Sequence, residues 1–257
     1  MGLDFDGFFA RKRLDRVMRS FGQVTQKAKD LPAHNLREAN DRARGLQTEL
    51  ARMQVATEKA LLKKSRQDDR IERPEQCDWS YRPATWTEPM APKGQVQVGS
   101  PQKLVGGMSL FHDCARSEIS YRQRQNSGPH HAAPYGLELE VYRFDGSFMS
   151  LVQDLPNDGL VGLTRGHFIS MTMYAEMDRQ IEIYARLNVQ HGPNTEQMVR
   201  QLSGQDGRFV AEFDLAYSKI NEKRLEKMWL DLIFEGPQMN RIIMWDMYLT
   251  RAPRADL

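Results

Sequence analysis

From residue 95 onward the apolar positions recur at every second residue, the period of a strand with one buried face. Leu137-Glu138-Leu139-Glu140-Val141 and Ile181-Glu182-Ile183-Tyr184-Ala185-Arg186-Leu187 show it most plainly. The pattern predicts strands at Gln95–Val98, Lys103–Phe111, Glu118–Gln123, Tyr135–Tyr142 and Ser147–Asp154. It continues with His167–Ala175, Gln180–Val189, Arg208–Leu215, Met228–Phe234 and Arg241–Leu249. Phe144-Asp145-Gly146-Ser147 predicts a hairpin, because Asp-Gly suits the two positive-φ positions of a type I′ turn. Pro156-Asn157-Asp158-Gly159 and Gly204-Gln205-Asp206-Gly207 punctuate the chain in the same manner. Thr195–Leu202 and Ser218–Lys227 are expected as short helical crossings. Short strands, few helical interruptions and no repeat of fixed period predict an antiparallel β-sandwich of jelly-roll type.

The best-patterned stretch is Met228–Arg251. Met228, Leu230, Leu232 and Phe234 alternate with Trp229, Asp231, Ile233 and Glu235, then Gly236-Pro237 breaks the run. Beyond it Ile242, Met244, Asp246 and Tyr248 alternate with Ile243, Trp245, Met247 and Leu249. The stretch predicts a hairpin that closes the sandwich.

Residues 1–73 carry a different period. Leu14, Val17, Phe21, Val24 and Ala28 fall three and four apart, one face of a helix over residues 8–29. Asp30-Leu31-Pro32 ends it, since the residue before proline is pushed out of the α region. A second helix runs from about Leu36 to Arg70, with the stripe Leu36, Ala39, Ala43, Leu46, Leu50, Met53, Thr57 and Ala60. Alanine and threonine in that seam make it a weak coiled coil, and Gly45 costs about 1 kcal/mol relative to alanine. Such a narrow stripe needs a partner, either the first helix or a second copy of the chain.

Between the two periods lies a Pro-rich segment, residues 74–94, with Pro74, Pro83, Pro89 and Pro92. Proline at this density blocks helix and central strand, so an extended connector is expected. Its Trp79, Tyr81 and Trp86 are too large and apolar to stand in solvent and are expected to lie against the sandwich. The predicted organisation is therefore a helical segment 1–73, a connector 74–94 and a β-sandwich 95–257.

Charge changes this picture little. Residues 1–73 hold 17 Lys/Arg against 11 Asp/Glu, near +6, and the remainder is near −4, within a net charge of +2. Acids interspersed among the bases favour a solvated helix surface, and no nucleic-acid partner is expected. No apolar run reaches the roughly 18 residues of a membrane span. The opening MGLDFDGFFARKRL places acids before bases and has no long apolar core, unlike a Sec signal. Cytoplasmic synthesis is expected, with release as part of a particle as the route outward. Cys77 and Cys114 are too few and too far apart for a disulfide framework.

Catalytic chemistry finds no motif. There is no nucleophile elbow, Walker loop or dinucleotide glycine run. His112-Asp113-Cys114 and His130-His131 lack metal-ligand spacing, so neither metal nor cofactor is predicted. Paired carboxylates of a glycoside hydrolase remain an alternative, with Glu138, Glu140, Asp145 and Glu182 as nominees. In His191-Gly192-Pro193-Asn194-Thr195-Glu196-Gln197 a rigid turn is followed by side chains that both donate and accept, which suit hydroxyl-rich ligands. Asn194-Thr195 is equally a helix cap before Glu196–Leu202.

The order of elements from residue 95, closing on Ile242-Ile243-Met244-Trp245-Asp246-Met247-Tyr248-Leu249, resembles the jelly rolls of carbohydrate-binding modules and galactose-binding-like domains. The whole chain resembles a Rhodobacterales-type alphaproteobacterial family of unknown function through Phe144-Asp145-Gly146-Ser147-Phe148 and His191–Glu196. The first resemblance implies a non-enzymatic sugar-binding sandwich that stacks pyranose rings on outward aromatics. Trp86, Tyr121, Tyr135 and Trp229 are the candidates for that role, with Asn194 and Gln197 as polar contacts. The expected partners are a glycan, and self-association or a protein partner through the helices, as on a phage-derived spike. A purely structural interaction module is the other alternative.

Overall fold

The structure, a computed structural model, describes residues 8–65, 71–126 and 132–254. The N-terminal periodicity forms helices α1 (Phe8–Lys27) and α2 (Ala33–Ser65), separated at Asp30–Pro32 where the proline forbids a continuous helix. The chain divides into two compact units, Met1–Gln54 and Val55–Leu257. In the first, Val17, Leu46 and Leu50 keep exposed apolar side chains, as does Met53. Exposed pairs Arg42–Glu38 (2.5 Å) and Arg52–Glu49 (2.7 Å) decorate α2, each adding a few tenths of a kcal/mol at most. No helix among the described residues is long and apolar enough to cross a membrane.

The second unit contains β1 (Trp79–Tyr81), α3 (Ala84–Thr87), β2 (Gly94–Gln95) and β3 (Gln102–Lys103). It continues through β4 (Met108–His112), β5 (Ile119–Gln125), β6 (Tyr135–Val141), β7 (Met149–Asp154) and β8 (His167–Met177). Then come β9 (Ile183–His191), β10 (Asn194–Gln201), β11 (Ser203–Gln205), β12 (Arg208–Asp214), β13 (Leu225–Phe234) and β14 (Asn240–Pro253). They form two antiparallel sheets. The larger has the order β11-β12-β8-β14-β6-β5-β2, with β1 beside the second half of β14. The smaller has the order β10-β9-β13-β7-β4-β3. The predicted antiparallel sandwich with an N-terminal helical segment is the observed architecture.

The alternation places the core. Leu137, Leu139, Ile169, Met171, Met173 and Ile242 point inward from the larger sheet. Leu110, Leu151, Leu187, Leu230, Leu232 and Phe234 meet them from the smaller one. All are essentially buried, so this one cluster supplies most of the hydrophobic stabilisation.

The structure corrects five expectations of local geometry. Met228–Arg251 is not a hairpin: β13 pairs with β7 and β9 in the smaller sheet, whereas β14 pairs with β8, β6 and β1 in the larger. Gly236, at φ 53°, turns the chain from one sheet to the other. A register shift at Trp245 also breaks the alternation of β14, so Met247 and Leu249 share the interior with Ile242 and Met244. Phe144–Ser147 is likewise a crossover between sheets, from β6 to β7. There Asp113 accepts hydrogen bonds from Ser147 N, Ser147 Oγ and Phe148 N. A type I′ turn does occur at Asp206-Gly207, where φ is 52° and 80° and Gln205 faces Arg208.

Thr195–Leu202 is not helical but the edge strand β10, so Asn194 opens a strand rather than capping a helix. Its pairing partner β9 supplies the hydrogen bonds that a helix would have made internally. Of Ser218–Lys227, only Glu222–Arg224 makes a helical turn before β13 begins.

The Pro-rich segment closes the space between the sheets. Trp86 on α3 is fully buried, and its Nε1 donates to Met244 O at 3.0 Å. Gln123 secures the segment by donating to Thr85 O (2.8 Å) and Glu88 O (2.7 Å) while accepting from Met90 N (2.7 Å). A buried amide is tolerated there because most of its hydrogen-bonding capacity is used.

Candidate functional site

On the smaller sheet the residues opposite the core form the outward face, and register fixes their neighbours. One row across the strands is Gln197, Asn188, Trp229 and Asp154. The next is Val199, Arg186, Asp231, Val152 and Ser109. The third is Gln201, Tyr184, Ile233, Ser150 and Phe111. The alternation that buries Met228, Leu230 and Leu232 forces Trp229, Asp231 and Ile233 to this side.

A depression of about 380 Å³ crosses this face from Gln190 on β9 to Phe111 on β4, floored by Trp229 and Val152. Trp229 and Phe111 are half-buried, each leaving part of its ring accessible. The Lys227 ammonium lies 5.6 Å from the centroid of the Trp229 ring and 2.8 Å from Asp154 Oδ1. This cation–π contact, worth about 0.5–1 kcal/mol at an exposed position, holds the indole in place.

Beside it a polar chain runs across three strands. Gln197 Nε2 donates to Asn188 Oδ1 (3.1 Å), and Asn188 Nδ2 donates to Asp231 Oδ2 (3.1 Å). Arg186 Nε (2.7 Å) and its terminal nitrogen (2.6 Å) also reach Asp231 Oδ2. The other oxygen, Asp231 Oδ1, has no hydrogen-bond partner among the described residues. The face therefore offers apolar ring surface flanked by the exposed Gln197 amide and Asp154 carboxylate, with Asn188 and Asp231 buried beneath them. Chemically it can take the C–H side of a ligand on its aromatics and hydroxyl groups on its rim.

The structure brings together only part of the predicted site. Trp229 and Gln197 share the open face. Asn194 is exposed at the β9–β10 turn, but its register with His191 places it on the opposite side of the pleat. Trp86, Tyr121 and Tyr135 are 0%, 4% and 4% exposed, so they present no ring face to a ligand. Burial, aided by Glu58, pushes the Tyr135 hydroxyl up to about 12. Phe111, Val152, Asp154, Gln190 and Lys227 were not singled out from the sequence. Only the strand order and register make them neighbours.

The nominated carboxylates are spread over the sandwich. Glu138 and Glu140 lie on β6 in the larger sheet, Asp145 lies in the crossover and Glu182 precedes β9 of the smaller sheet. Burial raises the Glu138 carboxyl, but hydrogen bonds from Arg124 and Arg122 outweigh it and hold the group below the ordinary carboxylate range. A general acid requires the reverse shift.

A second depression, about 680 Å³, includes Ser100, His112, Cys114 and Arg116. Its His112 is committed to structure, with Nε2 3.0 Å from Val98 O and Nδ1 accepting from Cys114 N at 3.2 Å. Burial pushes the Cys114 thiol up, away from reactivity. Among the described residues no three His, Cys, Asp or Glu side chains gather to hold a metal. His130-His131 lie outside the described residues.

Among solved structures the chain is similar to the enzymatically active domain of tailspike protein 4 of bacteriophage CBA120. The identity is 7% and the TM-score 0.39, over 55% of this chain and 19% of that one. It is also similar to the family 11 carbohydrate-binding module of Clostridium thermocellum, in complex with a β-1,3-1,4-mixed-linked tetrasaccharide. Here the identity is 12% and the TM-score 0.38, over 63% and 98% of the two chains. The CBM22-1 xylan-binding domain of Paenibacillus barcinonensis Xyn10C matches at 7% identity and a TM-score of 0.38, over 72% and 100%. At this level of likeness no residue and no ligand is carried across. No curated protein matches the sequence. At the level of sequence the match extends over residues 1–257, and the chain belongs to the family of unknown function DUF6478.

Proposed function

We propose that the protein is a binding protein that holds carbohydrate on the open face of its smaller sheet. The observation that carries this reading is the half-buried Trp229, fixed by Lys227 and set in one row of the sheet between Asp154 and the exposed Gln197, whose amide is braced by the buried Asn188. Ring surface flanked by fixed donors and acceptors suits a ligand with both C–H faces and hydroxyl groups. The test is affinity gel electrophoresis of the full chain through a panel of polysaccharides. Retardation by at least one of them, abolished by Trp229→Ala with the fold intact, supports the reading. Unretarded migration through the whole panel rejects it.

The exposed stripe of α2, with Leu46, Leu50 and Met53 at three- and four-residue spacing, favours an added role for the helices in self-association. Several copies would then engage a polymer together, and avidity would offset weak single sites. Sedimentation equilibrium tests this: a monomer at all concentrations removes the role.

A further inference from the structure

We propose that this face takes an uncharged oligosaccharide long enough to lie on both Trp229 and Phe111, rather than a single sugar ring or an anionic chain. The inference rests on the carbohydrate reading and adds ligand charge and length to it.

Charge comes from pairing. The cations beside the aromatic floor are Lys227 and Arg186, and each is already matched by a carboxylate of the same face. Lys227 holds Asp154 at 2.8 Å, and Arg186 holds Asp231 at 2.6 Å. A uronate or sulfate would have to separate one of these pairs and would meet the released carboxylate alongside it. Glu226, also acidic, accepts from Gln190 at the end of the depression. Lys103 stands on the edge strand opposite Ser109 and does not line the depression. Hydroxyl groups face no such conflict, because they can donate to Asp154 and exchange hydrogen bonds with the accessible amides of Gln190 and Gln197.

Length comes from the strand register. Trp229 faces Asp154 across the β13–β7 pair, and Phe111 faces Ser150 across the β4–β7 pair. The two aromatics are thus separated by two strands and four residues along the pleat, roughly 16 Å at ordinary sheet spacings. Val152 and Ser109 lie between them. No single ring reaches both aromatics, whereas a short chain crossing β13, β7 and β4 does.

The test uses the full chain in calorimetric titrations with neutral oligosaccharides from mono- to hexasaccharide, and with alginate and pectate fragments of matched length. The expected result is affinity that climbs with length among the neutral chains and negligible uptake of the anionic ones. Phe111→Ala then lowers hexasaccharide affinity about tenfold, the equivalent of 1.4 kcal/mol, and leaves disaccharide affinity unchanged, whereas Trp229→Ala weakens both. Phe111→Gln, which keeps much of the side-chain volume, repeats the measurement should the alanine variant unfold. Preference for the anionic fragments with steep salt dependence overturns the charge assignment. Equal affinity for mono- and hexasaccharide, or no length-dependent loss in either Phe111 variant, overturns the length assignment. Both of those outcomes leave carbohydrate binding standing, whereas no binding to any fragment defeats the underlying reading.

Discussion

The outward faces of the two sheets are made of similar residue types, yet one is sealed and the other open. On the larger sheet Glu138, Thr172, Ile243, Asp246 and Tyr248 are all buried. Arg82, which follows β1, pairs with Asp246 through two hydrogen bonds of 2.9 and 3.0 Å, and its guanidinium lies 5.7 Å from the Tyr248 ring centroid. Glu72 accepts from the hydroxyls of Tyr174 (3.2 Å) and Tyr248 (3.3 Å) on the same face. On the smaller sheet Asn188 and Asp231 are buried too, but Arg186, Trp229, Val152 and Phe111 stay partly exposed and Lys227 and Asp154 stand in solvent, so the face is open along its depression. Outward parity alone therefore says nothing about availability. A charge pair under a cover is a structural element that cannot lose one member, whereas the same pair in water is nearly neutral to stability and free to meet a ligand.

Removing a covered group should break the contrast most visibly. Arg82→Ala leaves Asp246 buried without its main counter-charge and should lower unfolding free energy by about 3–5 kcal/mol. Trp86→Ala, which empties the plug between the sheets, should cost a similar ~3–5 kcal/mol. Urea denaturation measures both, and a loss below about 1 kcal/mol in either would show that the cover is not structural.

Acid should act next, on the ion pairs of Asp78 and Glu138. Burial raises the Asp78 carboxyl, but hydrogen bonding and charge from Arg251 outweigh it, with a further contribution from His167. Asp78 and Glu138 thus both sit below their ordinary values of 3.8 and 4.5. Groups with depressed folded values bind fewer protons folded than unfolded. Their stabilisation is complete above those ordinary values and drains away as pH falls through the lower, folded ones. Thermal unfolding followed from pH 6 downward should show Tm falling below about pH 4.5, and Glu138→Gln should flatten the decline. An unchanged slope in that variant would remove Glu138 from the account.

The open face should respond in the opposite currency. Trp229→Ala is expected to change unfolding free energy by less than about 1 kcal/mol while removing carbohydrate retardation. A large stability loss would instead assign Trp229 to packing. Smallest of all, Lys227→Met should shift stability by no more than about 0.5 kcal/mol, since its pair with Asp154 is solvent-exposed. A loss of several kcal/mol there would erase the distinction between the faces.

Much of the fold was legible in the sequence. Most of the longer strands, the helix break at Pro32 and the inward set Met228, Leu230, Leu232 and Phe234 follow from local periodicity and are observed, whereas β1, β10 and β11 were not read as strands. The candidate site was legible only at Trp229 and Gln197. Trp86, Tyr121 and Tyr135 carry the same chemistry in the sequence, but α3 and the two inner faces enclose them.

By itself the sequence determined which residues face which side of each strand, because period-2 alternation follows from backbone geometry that is identical in either sheet. Tertiary structure alone decided which strands become neighbours. Alternation cannot tell a turn that folds β14 back on β13 from one that carries it across the core to β8 and β6. That choice depends on burying two complete apolar faces against each other, a long-range condition no local pattern encodes. The same condition separated Trp86 from Trp229. One indole was enclosed where a connector met the gap between sheets, and the other was left half-exposed on the outward face of the smaller sheet.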